Sequence, residues 1–280
     1  MTTLDLAGWR VKFACESESV ATAIAARFGP FVTNAPPHLT ARIRWDADPS
    51  CPEAHDGPAS EVGLRIRGTE YLLDAPNFCG RIDLARAEAQ LSLRDGAQPA
   101  DFEYFVRVLY AMLADREGGL LVHAAGILAS AGSGGDAQGP NDRRVYLFVG
   151  TSGSGKSTIV GLSKPAVALN DDLMLVRPQG THWVAYGTPF WNIGTADRSG
   201  ETASGPLAGI YRLVQDRDVY LERSEHAAAA AELIANCPIV NGDPNRLPGL
   251  LARCSRLTMT VPVQRLHFRK DPAFWELLQR

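Results

Sequence analysis

One short glycine-rich stretch carries the residues with the clearest chemistry. The segment VGTSGSGKST, residues 149–158, fits the pattern G-x-x-x-x-G-K-[ST]. Glycine recurs in such a segment because backbone N–H groups wrap a polyphosphate closely only where no Cβ obstructs them. The lysine reaches the β- and γ-phosphate oxygens, and the hydroxyl after it is a ligand for Mg²⁺. The segment therefore predicts a phosphate-binding loop made of Gly150, Thr151, Ser152, Gly153, Ser154, Gly155, Lys156, Ser157 and Thr158.

Two aspartates and a histidine lie close to this loop in the sequence. Asp171 and Asp172 interrupt the apolar run VALNDDLMLV, and His123 interrupts the apolar run LLVHAAGI. Charges inside an apolar strand are costly to bury unpaired, and a nearby Mg²⁺ would offset that cost. Because consecutive strand residues point to opposite faces, one aspartate is expected to serve the metal and the other an acceptor hydroxyl. We assign Asp171, together with Ser157, to the metal and Asp172 to the acceptor, and the reverse assignment stays open.

These residues together are typical of phosphoryl transfer. That reaction needs an anchored polyphosphate, a metal ion that bridges its oxygens and a carboxylate that orients or deprotonates the acceptor. The sequence predicts a kinase that uses Mg²⁺ and ATP or GTP, with Lys156, Asp171, Asp172 and an orienting His123 as catalytic residues. The alternative is a nucleotide-responsive switch, in which VALND is a Walker-B-like strand and hydrolysis resets a conformation without a phosphorylated product.

The segments around these residues predict the elements that position them. RRVYLFVG predicts a buried strand from Val145 to Val149, and KSTIVGLS predicts a short helix after the loop. DFEYFVRVLYAMLADREGG has helical periodicity, with Asp101 as a candidate cap and Gly118 as a stop. PAVALNDDLMLVRP predicts one strand that the aspartates interrupt. Near the end of the chain, HAAAAAELIAN and PAFWELLQR predict helices, and RLTMTVPVQRLHFRKD predicts strands.

The first hundred residues have a different pattern. Short strand-like segments alternate with turn signals in WRVKFAC, TARIRWD, VGLRIRG, EYLLDA, CGRIDLA and AQLSLRD, and SVATAIAARFG predicts one helix that ends at Gly29. These features predict a mostly antiparallel meander with one helix. Two segments predict loops, DADPSCPEAHDGPASE on the surface and AGSGGDAQGPNDRR as a mobile one. The predicted fold class is α/β with mixed sheets: residues 1–100 form a β-rich region, a candidate acceptor-recognition module, and residues 101–280 a nucleotide-binding catalytic domain.

Composition excludes some classes of partner. The 280-residue chain carries a formal net charge of −3 with interspersed signs, which favours neither nucleic acid nor a membrane surface. Its apolar runs fall short of the roughly 20 residues that cross a bilayer, and its N-terminus lacks a targeting pattern, so we expect a cytoplasmic protein. The five cysteines are scattered without a C-x-x-C pair and are expected to be reduced thiols.

The order of motifs resembles the catalytic domain of HPr kinase/phosphorylase and the wider set of HPr-kinase-like proteins. VHAAG, the strand and loop ending in GTSGSGKST, a short helix and a strand with DD follow one another between His123 and Val176. The resemblance implies a phosphoenolpyruvate-carboxykinase-like P-loop fold and Mg²⁺-dependent transfer from a nucleotide to a serine hydroxyl, with one aspartate as the base. In that family the equivalent side chains line the active site, which here means His123, Lys156, Ser157, Asp171 and Asp172.

The departures from the family limit what the resemblance implies. The glycine-rich signature segment that follows the aspartates in HPr kinase/phosphorylases has no counterpart here, so reverse phosphorolysis is not expected. The acceptor, whether a peptide, a protein or a small molecule, stays open, as does the choice between ATP and GTP. A homo-oligomer is open by analogy only. Five arginines are candidates for clamping an acceptor or a phosphoryl group, with solvated surface as the alternative: Arg198, Arg212, Arg217, Arg246 and Arg253.

Overall fold

The computed structural model describes residues 1–45, 63–67, 70–130, 143–191 and 201–279. The chain divides into two compact units, Met1–Leu113 and Ala114–Arg280. The described residues form a mixed α/β protein with two mixed sheets and six α-helices, which confirms the predicted class. Among these helices, none is both long and apolar enough to cross a membrane. The segment 46–61 and most of the segment 131–144, both predicted as loops, lie outside the described residues.

The described residues of the N-terminal unit form one sheet and two helices: β1 Thr2–Leu6, β2 Trp9–Cys15, α1 Glu18–Arg27, β3 Val32–Thr33, β4 Leu39–Trp45, β5 Gly63–Arg67, β6 Glu70–Ala75, β7 Phe78–Asp83, β8 Glu88–Leu93 and α2 Pro99–Arg116. Its sheet runs in the order β3-β1-β2-β4-β8-β7-β6-β5. The predicted mostly antiparallel arrangement is confirmed, but the pairs β2–β4 and β4–β8 are parallel, so the sheet is not a simple meander. A parallel pair needs a crossover connection, which α1 supplies between β2 and β4.

Helix α2 supplies much of this unit's core. Phe102 packs edge to face on Phe13 of β2, with ring centroids 5.6 Å apart. The fully buried Tyr110 donates from its hydroxyl to the carbonyls of Leu4 at 3.1 Å and Trp9 at 3.3 Å, and so ties the helix to the first hairpin.

Of the two predicted ends of α2, the C-terminal one is confirmed and the N-terminal one is wrong. The helix begins at Pro99, so Asp101 lies inside the first turn and is not the N-cap. Its carboxylate still accepts the backbone N–H of Gln98 at 2.7 Å, which satisfies a donor near the start of the helix. Gly118 has a φ of +75°, a conformation that favours glycine, and lies just past the last helical residue as predicted.

The C-terminal unit is built on a strand network that closes on itself. Its described elements are β9 Leu120–Ser130, β10 Arg143–Val149, α3 Lys156–Leu162, β11 Val167–Asn170, β12 Leu173–Gln179, β13 His182–Tyr186, β14 Ser204–Gln215, β15 Tyr220–Arg223, α4 His226–Ala235, α5 Leu247–Thr260, β16 Val263–Phe268 and α6 Phe274–Leu278. β10 pairs with β9, β9 with β12, β12 with β13, β13 with β14, and β14 returns to β10. The strands β10, β14 and β16 are parallel neighbours, and β15 lies antiparallel to β16 at the edge.

Helix α5 corrects one prediction. The segment RLTMTV, predicted as strand, belongs to α5 up to Thr260, and only Val263–Phe268 forms a strand. Leu250, Cys254 and Leu257 are the buried residues of this helix, spaced four and three apart as one helical face requires. A strand starting at Arg256 would have removed Leu257 from this row.

We expect Tyr110→Phe to lower the free energy of unfolding by about 1–2 kcal/mol, because it removes a buried hydroxyl donor and leaves its carbonyl partners without it. Chemical denaturation followed by circular dichroism measures the change. Tyr186→Phe is the control, since its hydroxyl accepts a hydrogen bond from Gln179 in an exposed position and should change stability by less than about 0.5 kcal/mol. Equal stability of wild type and Tyr110→Phe would contradict the assigned hydrogen bonds.

Candidate active site

The predicted phosphate loop lies between the end of β10 and the start of α3. Gly155, directly before the helix, has a φ of +109°, and a Cβ there would lie 2.6 Å from the ring of Phe268. A Cβ on Gly150 would lie 2.6 Å from the hydroxyl oxygen of Ser154. Both positions therefore require glycine, because a side chain there would overlap a neighbouring group.

Lys156 is the buried charge of the loop. Its side chain folds back, and Nζ donates to the carbonyl oxygens of Gly150 at 2.7 Å and Thr151 at 3.3 Å. Only 9% of the residue is exposed. Burial lowers the pKa of the ammonium group, and the charges of Asp172 and Asp171 oppose that shift. The lysine and both aspartates, predicted as one site, thus lie close enough to interact electrostatically.

The two aspartates occupy a bend and do not lie within one strand. β11 ends at Asn170 and β12 begins at Leu173, so Asp171 and Asp172 are the residues between them. The rule that consecutive strand residues point to opposite faces therefore does not apply to these two aspartates, and it gives no reason to assign one to the metal and the other to the acceptor. The structure distinguishes them by their surroundings instead, since Asp171 is buried and Asp172 is partly exposed.

His123 and Asp172 form a close pair. His123 Nε2 lies 3.2 Å from Asp172 Oδ1. Backbone pairing fixes the two residues relative to each other, because Leu173 is opposite His123 in the β9–β12 ladder and the N–H of Ala124 donates to the Asp172 carbonyl at 2.9 Å. The His123 N–H donates to the carbonyl of Asn236, just after α4, at 2.7 Å. The partly exposed imidazole is thereby held beside the carboxylate.

Asn170 shapes the bend, although it is not among the site residues that the sequence predicts. Its Oδ1 accepts the backbone N–H groups of Asp172 at 2.7 Å and Leu173 at 2.9 Å, and its Nδ2 donates to the Thr188 carbonyl at 2.9 Å. Both Asn170 and Thr188 are fully buried. This is the Asx-turn geometry, in which an asparagine accepts from the backbone of residues that follow it. Asparagine directly before two aspartates is the signal that could have revealed the turn.

The remaining loop residues are more open. Ser157, predicted as a metal ligand, is exposed, and Thr158 is partly buried. Gly153 is exposed at the tip of the loop, and its carbonyl accepts the side-chain amide of Gln215 at 2.9 Å. The last residue of β14 thus supports the middle of the loop.

The candidate arginines divide into groups. Arg246 and Arg253 both pair with the carboxylate of Asp115, which is buried. Arg212 pairs with Glu232 of α4 at 3.0 Å. Arg217 is exposed, and Arg198 lies outside the described residues.

Comparison with known proteins adds no relative. No protein-family model and no curated protein matches this chain. The resemblance to HPr-kinase-like proteins therefore stays a prediction based on the motifs between His123 and Val176.

We expect Gly155→Ala to lower the free energy of unfolding by about 2–4 kcal/mol, because it combines an unfavourable positive φ with overlap of the new methyl group and Phe268. Gly161→Ala, inside α3 with open space around the added methyl group, is the matched control. It should raise stability by about 0.5–1 kcal/mol through helix propensity. Urea unfolding of both variants measures the difference, and equal effects would contradict the loop geometry.

We expect Asp172→Asn to lower the pKa of Lys156 further, because the charge of Asp172 has the larger of the two electrostatic effects that oppose burial. The pH titration of the lysine ¹³Cε resonance measures this shift. Asp218→Asn, an exposed carboxylate in the same unit, is the control and should leave the lysine unchanged. An unchanged Lys156 pKa in Asp172→Asn would contradict the electrostatic interaction between the Asp172 carboxylate and the Lys156 ammonium group.

The lowered pKa also has a consequence for stability. Between the folded-state pKa and the ordinary value of 10.5, the folded state binds fewer protons at Lys156 than the unfolded state does. The contribution of this group to the free energy of unfolding therefore rises with pH in that window. Asp172→Asn widens the window toward lower pH.

Proposed function

We propose that this chain is a Mg²⁺- and nucleotide-dependent kinase of the HPr-kinase-like type, with a phosphoenolpyruvate-carboxykinase-like P-loop core. It transfers the γ-phosphoryl group of ATP or GTP to a hydroxyl, most simply that of a serine. One observation carries the proposal. The loop lysine interacts with the charges of Asp171 and Asp172, and Asp172 in turn lies 3.2 Å from the imidazole of His123.

The loop fits the phosphate groups of a nucleotide. Gly150 and Gly155 are positions where a Cβ would collide with the loop or with the core beneath it. Gly153 has a φ of +79° and open space around it. Loop N–H groups and the ammonium of Lys156, which in this structure donates to the Gly150 and Thr151 carbonyls, are the donors that such anions require. We assign phosphate binding to the loop from Gly150 to Thr158.

The oxygen atoms of Asp171 and Ser157 suit Mg²⁺ better than they suit a metal ion whose ligands all come from the protein. Among the described residues, no three His, Cys, Asp or Glu side chains converge on a metal position. Magnesium is usually held by one or two carboxylates together with phosphate oxygens and water. Asp171, buried beside the loop, and the Ser157 hydroxyl, at the start of α3, are the residues that would hold it. A bound Mg²⁺–nucleotide complex supplies the phosphoryl group and the metal charge that stabilises its transfer.

Asp172 and His123 are assigned to the acceptor. Asp172 is partly exposed, so its carboxylate can reach a hydroxyl from solvent and accept its proton. His123 lies beside the same carboxylate and orients it. The Asx turn at Asn170 fixes the backbone of Asp172, which keeps the carboxylate in place during proton transfer.

The function is tested by following the label from γ-labelled ATP or GTP with Mg²⁺ and purified protein. The protein is incubated alone and with cell extract divided into small-molecule and protein fractions. We expect label on a discrete acceptor, and the fraction that contains it names the substrate class. Release of label only as free phosphate would contradict the kinase and favour the nucleotide switch.

Two variants separate binding from transfer. Lys156→Ala is expected to lose both nucleotide binding and transfer, whereas Asp172→Asn is expected to keep nucleotide binding and lose transfer by about 10²–10⁴-fold. Lys164→Ala and Asp218→Asn are the controls, since both residues are exposed and carry the same charges. Full transfer by Asp172→Asn would contradict its assignment as the base.

A further inference from the structure

Two strands end beside the phosphate loop and lie next to each other. β10, β14 and β16 are parallel, so their carboxyl ends meet at one edge of the sheet. Gln215, the last residue of β14, donates its amide to the Gly153 carbonyl at 2.9 Å. Phe268, the last residue of β16, fills the space where a side chain on Gly155 would lie. Residues that follow these two strands therefore flank the loop.

Tyr220 presents an aromatic ring at this edge. It is the first residue of β15, lies opposite His267 in the ladder and is 43% exposed. Its ring stacks on the His267 imidazole, with centroids 4.1 Å apart and an angle of 11° between the planes. Its hydroxyl lies 3.5 Å from Asp216 Oδ2, directly after the Gln215 that contacts the loop. The ring thus extends over β16 toward the end of β14.

The imidazole beneath the tyrosine is held on both sides. His267 Nδ1 lies 2.9 Å from Asp216 Oδ2, and Nε2 lies 3.1 Å from Glu222 Oε2. Arg265 donates to the other oxygen of Glu222 at 3.1 Å. The stack therefore has a fixed orientation before any ligand arrives, and a fixed aromatic surface binds with a smaller entropy loss than a mobile one.

We propose that the exposed surface of the Tyr220 ring is the nucleoside subsite of this protein, and that it stacks on the base of the nucleotide whose phosphates the loop binds. The inference rests on the function proposed above, which already takes a purine nucleoside triphosphate, and adds the residue that binds its base. Stacking on an aromatic side chain accepts any base, and the larger purine surface gains more from it than a pyrimidine does. Gln215, whose amide contacts the loop, and Asp216, whose carboxylate lies beside the tyrosine hydroxyl, are consecutive residues, and the proposed ligand spans from the loop to the ring.

The test compares nucleotide with its phosphate part alone. Isothermal titration calorimetry measures the Kd of the full-length protein for Mg²⁺–ATP, Mg²⁺–CTP and Mg²⁺–tripolyphosphate. For Tyr220→Ala we expect the Kd for ATP to rise about tenfold and that for tripolyphosphate to change less than about twofold. Tyr220→Phe keeps the ring and should bind ATP like wild type. Trp45→Ala removes an aromatic residue that is 46% exposed in the N-terminal unit and should change neither Kd.

The outcomes distinguish the subsite from the proposed function. Unchanged ATP binding in Tyr220→Ala, or an equal loss for ATP and tripolyphosphate, overturns the subsite while the phosphate loop stands. Wild-type protein that binds ATP no more tightly than tripolyphosphate, or CTP more tightly than ATP, overturns it as well. Wild-type protein that binds neither ATP nor tripolyphosphate refutes the proposed function, and the subsite fails with it.

Discussion

The burial of one ammonium group constrains the whole candidate site. Lys156 lies almost out of solvent, and an unpaired charge there would be strongly unfavourable. Two loop carbonyls accept its hydrogen bonds, and the charges of Asp171 and Asp172 raise its pKa against the effect of burial. The loop must therefore turn its carbonyls inward and the acidic bend must approach it. Glycine at position 155 permits this turn of the loop, and strand pairing places the acidic bend at Asp171 and Asp172 beside it.

One strand, β9, places these parts together. Along one side it pairs with β10, whose end begins the loop, and along the other with β11 and β12, which flank the aspartates. Close packing on this strand depends on small residues. A Cβ on Gly126 would lie 2.6 Å from the side chain of Met174 in β12. His123 belongs to the same strand, so the imidazole and the loop are positioned by a single rigid element and are not left to independent loops.

The sequence predicts the local parts of this arrangement better than the long-range ones. The loop and the helix from Lys156 follow from a short pattern whose cause is local, the need for uncovered backbone and a lysine at a fixed spacing. At Asp171 the sequence predicts strand, because the apolar run continues on both sides of it, and the structure has a bend there. What breaks that run is local, because Asn170 Oδ1 accepts the backbone N–H groups of Asp172 and Leu173. The long-range part is the hydrogen bond from Asn170 Nδ2 to the Thr188 carbonyl, 18 residues away, which holds the asparagine in place. The return of β14 to β10, which closes the strand network, has no local signature.

The ion pairs of the candidate arginines explain why we assign the positive charge of the candidate site to the loop lysine. Arg246 and Arg253 share the carboxylate of Asp115, which is itself buried. Withdrawing either guanidinium toward a ligand would leave that buried carboxylate with half of its pairing, a change that typically costs about 3–5 kcal/mol when a buried pair is broken. These two side chains are therefore structural. Arg212 is more exposed, and moving it would release only the Glu232 pair, which is weak in solvent. We therefore propose that phosphate recognition depends on Lys156 and the loop N–H groups rather than on these arginines.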